Sequence, residues 1–230
     1  MTYAIAVVQR KGGVGKTTLA VCIAAELLRR GKAVGLIDAD PQESSAQWAE
    51  PGNLQIPVHK ITPADQSIDD WIRKHDRIAA NYNCVVVDTA PNERAVVASA
   101  AVSDLVLVPC TPSGLDLHAT GRTLEIIKDI RPRCNRQPKL TIVPNRVDAR
   151  TLEGQQLVEE LHSFGEIVGP MVGSRSVFVR AFSTGYSVDN MPEGRAAHRE
   201  IEELCDLVEV YLGSKRHWLR RFSRSRDLHY

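Results

Sequence analysis

The sequence lacks several features that would define its class at once. No apolar run among its 230 residues approaches the length of a bilayer-spanning helix, and no charged segment followed by an apolar core marks a signal peptide. The five cysteines are odd in number and scattered, which favours reduced thiols over a disulfide framework. The seven histidines are dispersed, with no cysteine partner at zinc-ligand spacing. We therefore expect a cytoplasmic protein without a structural metal.

A large net excess of either charge is also absent, but the charges are unevenly distributed along the chain. The whole chain has a formal net charge of +1, whereas its last 18 residues carry +5, which leaves −4 for the remainder. The hydrophobic fraction of 43% is sufficient for one substantial core. We therefore predict a single domain over residues 1–212 and a basic C-terminal tail over residues 213–230.

Short apolar runs alternate with amphipathic segments along the chain. The first run, at residues 3–8, precedes a helical pattern in which Leu19, Ile23 and Leu27 recur at four-residue steps. This alternation predicts an α/β fold, a mainly parallel twisted sheet with helices on both faces. Residues 43–63, interrupted by prolines, are predicted to be irregular. Further strands are predicted at 33–37, 84–87, 105–108 and 140–143, and further helices at 67–80, 93–101, 115–130, 151–163 and 193–212.

A glycine-rich stretch joins the first predicted strand to the first predicted helix. Such a loop points successive backbone N–H groups at one anion, and the start of the following helix adds partial positive charge. Lys16 is expected to reach the β and γ phosphates of a nucleoside triphosphate, and the Thr17 hydroxyl to bind a magnesium ion. The residues expected on this ground to bind the nucleotide are Gly12, Gly13, Val14, Gly15, Lys16 and Thr17.

This loop departs from the general phosphate-binding pattern at its first position. Arg10 stands where that pattern has glycine, and Lys11 precedes the double glycine. The run Lys-Gly-Gly-Val-Gly-Lys-Thr-Thr resembles the deviant Walker A motif of the ParA/MinD family of P-loop ATPases. The resemblance implies an ATP-dependent homodimer closed around two nucleotides, in which Lys11 reaches the phosphates of the partner subunit. It also implies that Thr18 contacts the α phosphate.

Two carboxylate motifs follow predicted strands. The run Val-Val-Val-Asp-Thr-Ala-Pro at residues 85–91 is typical of a Walker B strand, whose terminal Asp88 would lie beside the metal. The run Asp-Ala-Asp-Pro-Gln at residues 38–42 resembles the second carboxylate motif of the family. The resemblance implies that Asp40 polarises the attacking water and that Asp38 supports the water shell of the metal. The expected catalytic residues are Lys11, Lys16 and Asp40, the metal ligands Thr17, Asp38 and Asp88, and the cofactors ATP and Mg²⁺.

The base-binding element remains open between two interpretations. The run Asn-Arg-Val-Asp at residues 145–148 resembles the guanine-reading motif of GTPases, with arginine in place of lysine. An Asn-Arg element after this strand also lies against adenine in ParA-like proteins, and the Lys11 signature favours that family. We therefore expect Asn145 and Arg146 to contact the adenine of ATP.

Several arginines resemble the DNA-contacting residues of the family. The segment 174–188 resembles the one that supplies backbone contacts to DNA, and arginines there would make sequence-independent phosphate contacts. The basic tail would either gather DNA or insert Trp218, Leu219 and Phe222 into lipid, as in the MinD branch, or serve only solubility. The candidate DNA-binding residues are Arg175, Arg180, Arg195, Arg199, Lys215 and Arg216.

The resemblance implies a cycle of positioning or segregation. An ATP-bound dimer would bind nonspecific DNA of the nucleoid, and a cargo-bound adaptor protein would stimulate hydrolysis. The cargo would be a plasmid, a chromosome region or a protein assembly such as a carboxysome. The alternatives are a MinD-like ATPase that associates with the membrane through the basic tail, and a nucleotide switch or metal-insertion factor that binds neither surface.

Overall fold

The computed structural model describes residues 2–213 and contains one parallel sheet. Within that part of the chain, seven strands lie in the order β3-β2-β4-β1-β5-β6-β7. Because the strands are parallel, their carboxyl ends meet at one edge of the sheet, where ligand sites of such folds form. The strands are β1 (Tyr3–Val7), β2 (Val34–Ala39), β3 (Val58–Lys60), β4 (Cys84–Thr89), β5 (Leu105–Cys110), β6 (Lys139–Pro144) and β7 (Ile167–Val168).

Helices cover both faces of this sheet. The helices are α1 (Lys16–Arg29), α2 (Ser44–Ala49), α3 (Ile68–Ala79), α4 (Glu93–Val102), α5 (Gly114–Ile130), α6 (Leu152–His162), α7 (Ser176–Thr184) and α8 (Arg195–Tyr211). One buried cluster joins the sheet to α1, α2, α7 and α8, and a second joins it to α3, α4, α5 and α6. Alternate residues of β1 enter the two clusters, with Ile5 in the first and Ala6 in the second. The near-continuous apolar strands follow from this burial on both faces.

The register of the sheet aligns two acidic side chains. Asp38 in β2 is directly opposite Asp88 in β4, and Val7 of β1 lies beside Asp88 on the other side. The glycine-rich loop that follows β1 therefore begins at the same edge of the sheet as both carboxylates.

The predicted α/β class is confirmed by this architecture, but four short elements were not predicted. Helix α2 and strand β3 lie within residues 43–63, which we expected to be irregular, and β7 and α7 lie between residues 163 and 193. These elements have two to nine residues, and the edge strands β3 and β7 are not fully buried, so they lack the long apolar patterns from which the others are predicted.

Two further expectations concern the basic tail and the absence of a membrane-spanning helix. The candidate DNA-binding residues Lys215 and Arg216, and the tail from residue 214, lie outside the described residues. Among the described helices, none combines the length and the apolar character required to cross a bilayer.

Candidate nucleotide-binding site

The glycine-rich loop forms an open cradle between β1 and α1. Gly13 and Gly15 have φ angles of 78° and 91°, which side chains with a Cβ rarely adopt. A Cβ on Gly15 would lie 2.4 Å from Nδ2 of Asn145, and this amide donates a hydrogen bond of 2.6 Å to the carbonyl of Val14. Beside Gly12 and Gly13, by contrast, an added Cβ would meet no atom within 4 Å. The loop is thus held from below by the residue that follows β6 and is open above, as phosphate binding requires.

Lys16 lies at the centre of this cradle. Its side chain is largely buried, and its Nζ donates a hydrogen bond of 3.1 Å to the carbonyl of Lys11. Burial lowers the pKa of Lys16, while the nearby carboxylates of Asp88 and Asp40 oppose that shift. Among the described residues, no carboxylate lies within ion-pair distance of this ammonium group. Its hydrogen bond to the Lys11 carbonyl holds it against the loop.

Asp88 is a buried carboxylate at the end of β4. Ser45 of α2 donates a hydrogen bond of 2.7 Å to its Oδ2, and the Thr17 hydroxyl is close enough to interact with it. Its Oδ1 has no hydrogen-bond partner in the described part of the chain. Burial raises the pKa of Asp88 to about 7. A buried acidic oxygen without a partner, beside a threonine hydroxyl, fits the hydration shell of a magnesium ion.

Asp38 and Asp40 differ in their exposure. Asp38 is buried and accepts backbone hydrogen bonds from Ala46 at 2.9 Å and from Asp40 at 3.2 Å, and its pKa is raised, mainly by burial. Asp40 is partly exposed and accepts a hydrogen bond of 3.0 Å from the backbone of Gln42. Asp38 is therefore fixed against the start of α2, whereas Asp40 faces the cleft described next.

A cleft of about 770 Å³ extends from the loop to α7. This volume is in the range of small-molecule sites. Its polar end contains the loop glycines, Lys16, Thr17, Thr18 and Asp40, and its other end contains the rings of Trp48, Phe178 and Phe182. Trp48 packs edge-on against Phe182 with ring centroids 5.5 Å apart. An anionic group would bind at the first end and a flat apolar group toward the second.

The residues of the Asn-Arg-Val-Asp element line two different surfaces: its first two residues line the cleft, and its last lines a separate groove. Asn145 is buried beneath the loop and Arg146 is exposed, and both line the cleft. Asp148 lines a separate groove of about 370 Å³. Hydrogen bonds from Arg150 lower the pKa of Asp148 to about 2. The acid that would read guanine in a GTPase is therefore bonded to its neighbour and lies outside the cleft.

Lys11 contacts an acid of its own subunit. Its Nζ donates to Oδ1 of Asp116 in α5, and the Thr111 hydroxyl donates to Oδ2 of the same carboxylate. The family resemblance implied an intersubunit role for Lys11, but no local pattern marks Asp116 as its contact, because the two residues lie 105 positions apart. Ser45, which bonds Asp88 from α2, was missed for the same reason.

The described candidate DNA-binding arginines fall into two pairs. Arg175 lines the cleft and forms an ion pair of 2.6 Å with Glu200, and Arg180 forms one of 2.5 Å with Glu193. Arg195 and Arg199 are exposed on α8, where the structure places no carboxylate within ion-pair distance in the described part of the chain. The second pair is therefore the more accessible to a polyanion.

Together, the doubly covered parallel sheet, the glycine-rich loop opening α1 and the carboxylates at the adjacent strand ends define a P-loop nucleoside triphosphatase. Residues 5–188 match the family described as the CobQ/CobB/MinD/ParA nucleotide binding domain. The chain therefore belongs to the ParA/MinD family of P-loop ATPases, as its loop predicted. The matched domain binds nucleotides, and the chain is an ATP hydrolase of this family.

Individual relatives agree with this assignment. The chain is 31% identical over 214 residues to the maintenance of carboxysome distribution protein A of Halothiobacillus neapolitanus, with 90% of this chain and 96% of that protein covered. It is 29% identical over 192 residues to the protein ParA of Rhizobium radiobacter, with 81% and 85% covered.

Solved structures share the fold at low sequence identity. McdA of Cyanothece, solved as a variant in complex with ATP, has a TM-score of 0.73 at 16% identity, covering 94% of this chain and 98% of that one. The septum site-determining protein MinD of Pyrococcus horikoshii, solved with Mg-ADP, has the same TM-score and identity, covering 94% and 100%. Family members are ATP-dependent dimers that act with partner proteins.

Proposed function

We propose that this ATPase positions or segregates a cargo by closing two copies of itself over two ATP molecules and binding DNA while closed. The observation that carries the dimer is the distribution of exposed apolar side chains. Leu115, Val179 and Leu152 are the three most exposed large apolar side chains in the described part of the chain, at 75%, 69% and 63%. Val179 lines the cleft, and Leu115 and Leu152 are next in sequence to residues that contact the loop or line the adjoining groove. A second copy that faces this edge of the sheet would remove these side chains from water, which favours closure of the dimer here.

The position of each residue supports this assignment. Leu115 is the second residue of α5 and precedes Asp116, the contact of Lys11. Leu152 begins α6 beside Thr151, which lines the same groove as Gly13. Val179 lines the cleft itself. A second subunit facing this edge of the sheet would bury all three and would approach Lys11.

We assign each residue at the site a separate role in ATP hydrolysis. Mg-ATP supplies the phosphoanhydride and its own neutralising cation. Thr17, Asp38 and Asp88 would hold the metal and its water shell, and Lys16 would neutralise charge that develops on the β and γ phosphates. Asp40, the partly exposed carboxylate, would orient the attacking water. Lys11 of the facing subunit completes the site, so hydrolysis requires closure.

The DNA and cargo steps rest on other features. Arg195 and Arg199 project from α8 without ion-pair partners among the described residues, and they would contact DNA phosphates irrespective of sequence. The tail, which includes Lys215 and Arg216, would add charge to this contact. The named relatives distribute carboxysomes or belong to the ParA group, which favours a nucleoid-bound protein that moves such a cargo through an adaptor. Action at a membrane is the less favoured alternative, because it depends on the tail alone.

The proposal is tested by measuring binding to random-sequence duplex DNA and to anionic vesicles, each with ATP, with ADP and without nucleotide. We expect salt-sensitive DNA binding with ATP only, and no vesicle binding. The paired changes Arg195→Glu and Arg199→Glu should abolish DNA binding. Lys74→Glu and Arg77→Glu, the same charge change on α3 at the opposite face, serve as the matched control and should leave binding intact.

The contrary outcomes are distinct. ATP-dependent vesicle binding that is lost on truncation after Leu212 would replace DNA with the membrane as the surface. Binding to neither surface, with ATP hydrolysis intact, would reduce the protein to a nucleotide switch. DNA binding that is independent of nucleotide would contradict the timed cycle.

A further inference from the structure

Lys11 is held by two contacts within its own subunit. Its backbone carbonyl accepts the hydrogen bond from Nζ of Lys16, and its own Nζ bonds the carboxylate of Asp116. The Lys11 side chain is 36% exposed and lies at the surface of the loop. In the proposed dimer, Lys11 must reach the facing subunit. In the isolated subunit it is instead bonded to Asp116 of its own chain.

Lys11 supplies the cation that stabilises the buried carboxylate of Asp116. Its side chain is only 6% exposed, and it lies in the first turn of α5. Besides Lys11, the side chain that bonds it is Thr111, whose hydroxyl is neutral. Because the Thr111 hydroxyl and the start of α5 compensate the charge of this buried carboxylate only in part, departure of Lys11 is unfavourable for Asp116.

We propose that Asp116 is a positioning residue that retains Lys11 in the resting subunit and releases it only to the phosphates bound by the partner subunit. This inference rests on the proposed ATP-dependent dimer. Asp116 thereby sets the threshold for closure: two lysines must leave two buried carboxylates before the dimer forms. It keeps the lysine extended at the loop surface and prevents it from folding onto the nucleotide of its own subunit.

The two contacts release in a fixed order. ATP in the subunit's own cradle takes Nζ of Lys16 to its phosphates and so removes the hydrogen bond on the Lys11 carbonyl. The side chain of Lys11 stays on Asp116 until a triphosphate with greater negative charge faces it across the interface. An ADP-bound partner presents fewer phosphate charges at that position and competes less well with the carboxylate. The subunit thus distinguishes a partner loaded with ATP from one that carries ADP.

The test compares variants that change the hold on Lys11 in opposite directions. Asp116→Asn keeps the shape of the side chain but removes its charge, so release of Lys11 becomes easier. We expect the dissociation constant of the ATP-bound dimer, measured by sedimentation with a non-hydrolysable ATP analogue, to fall by roughly tenfold for each lysine released, since tenfold corresponds to about 1.4 kcal/mol. The ADP-bound protein should also begin to dimerise.

Thr111→Val removes the only neutral donor to Asp116 among the described side chains and leaves the carboxylate more dependent on Lys11. The dimer should therefore weaken severalfold, and Thr111→Ser should restore it. Asp129→Asn makes the same chemical change at an exposed position of the same helix and should leave the dissociation constant unaltered. Thermal unfolding of each variant establishes that it is folded.

The outcomes distinguish failure of the inference about Asp116 from failure of the proposed function. A wild-type dimer that Asp116→Asn weakens or leaves unchanged overturns the inference alone, because Asp116 would then assist Lys11 inside the dimer or be irrelevant to it. A Thr111→Val dimer as tight as wild type overturns it as well. Absence of any ATP-dependent dimer of the wild-type protein overturns the proposed function, and the inference with it.

Discussion

Replacing Asp88 with asparagine should stabilise the nucleotide-free protein while abolishing its response to magnesium and ATP. Asp88 is buried, keeps one carboxylate oxygen without a hydrogen-bond partner among the described residues, and has a pKa raised to about 7 from the ordinary value of 3.8. A carboxyl group whose folded-state pKa is raised destabilises the fold when it ionises. This destabilisation is absent below about pH 4, grows as the pH rises, and is complete above about pH 7.

The difference between the two pKa values corresponds to about 4 kcal/mol at pH 8. The substituted asparagine would retain the hydrogen bond from Ser45 but would attract Lys16 less, so the net gain should be about 2 to 4 kcal/mol at pH 8 and under about 1 kcal/mol at pH 4. For a domain of this size, the gain at pH 8 raises the melting temperature by roughly 4 to 16 °C.

The assay is thermal unfolding of wild type and Asp88→Asn in chelator at pH 4 and pH 8, and again at pH 8 with Mg-ATP. The wild type should gain stability from Mg-ATP, whereas the variant should gain none. Asp129→Asn, an exposed acid, is the matched control and should change neither curve. A variant less stable than wild type at pH 8 in chelator would refute the reasoning, since it would mean that Lys16 already compensates the charge of Asp88.

Three further changes test other parts of the structure. Glu26→Gln should lower the free energy of unfolding by about 2 to 4 kcal/mol in denaturant titrations, because Glu26 is a buried acceptor for Arg29, Arg30 and His198. Although burial alone would raise it, these bonds hold the pKa of Glu26 at about 2, so its contribution should be lost as the pH falls from about 4.5 to 2. Gly15→Ala should abolish ATP binding in a calorimetric titration, because the new Cβ displaces Asn145. Asp148→Asn should leave the preference for ATP over GTP unchanged in competition binding; a gain in GTP affinity or a loss of selectivity would contradict its placement outside the cleft.

The parts of the site that lie in continuous segments could be predicted from the sequence. The loop joins β1 to α1 directly, and Asp88 ends an apolar strand, so their roles follow from local order. That Asp38 and Asp88 are neighbours depends on β2 and β4 being adjacent in the sheet. Alternation of strands and helices predicts parallel strands but does not specify which strands pair.

The remaining features depend on contacts between distant positions. Ser45 reaches Asp88 from a helix of six residues, too short to show a periodic apolar pattern. Asp116 resembles any acid in the first turn of a helix, where it interacts favourably with the backbone dipole. Only the folded structure shows that it meets Lys11. The ion pairs of Arg175 and Arg180 likewise involve α8 or the segment before it.

The central claim, that Lys11 acts on the nucleotide of the facing subunit, is tested most directly by mixing two inactive variants. Lys11→Ala lacks the lysine but retains Asp40, and Asp40→Ala retains Lys11 but lacks the carboxylate that orients water. In a mixed dimer, the cleft of the Lys11→Ala subunit has its own Asp40 and receives Lys11 from its neighbour. We predict that neither variant hydrolyses ATP alone and that the mixture does. No activity at any mixing ratio, with both proteins folded and binding ATP, would contradict the account.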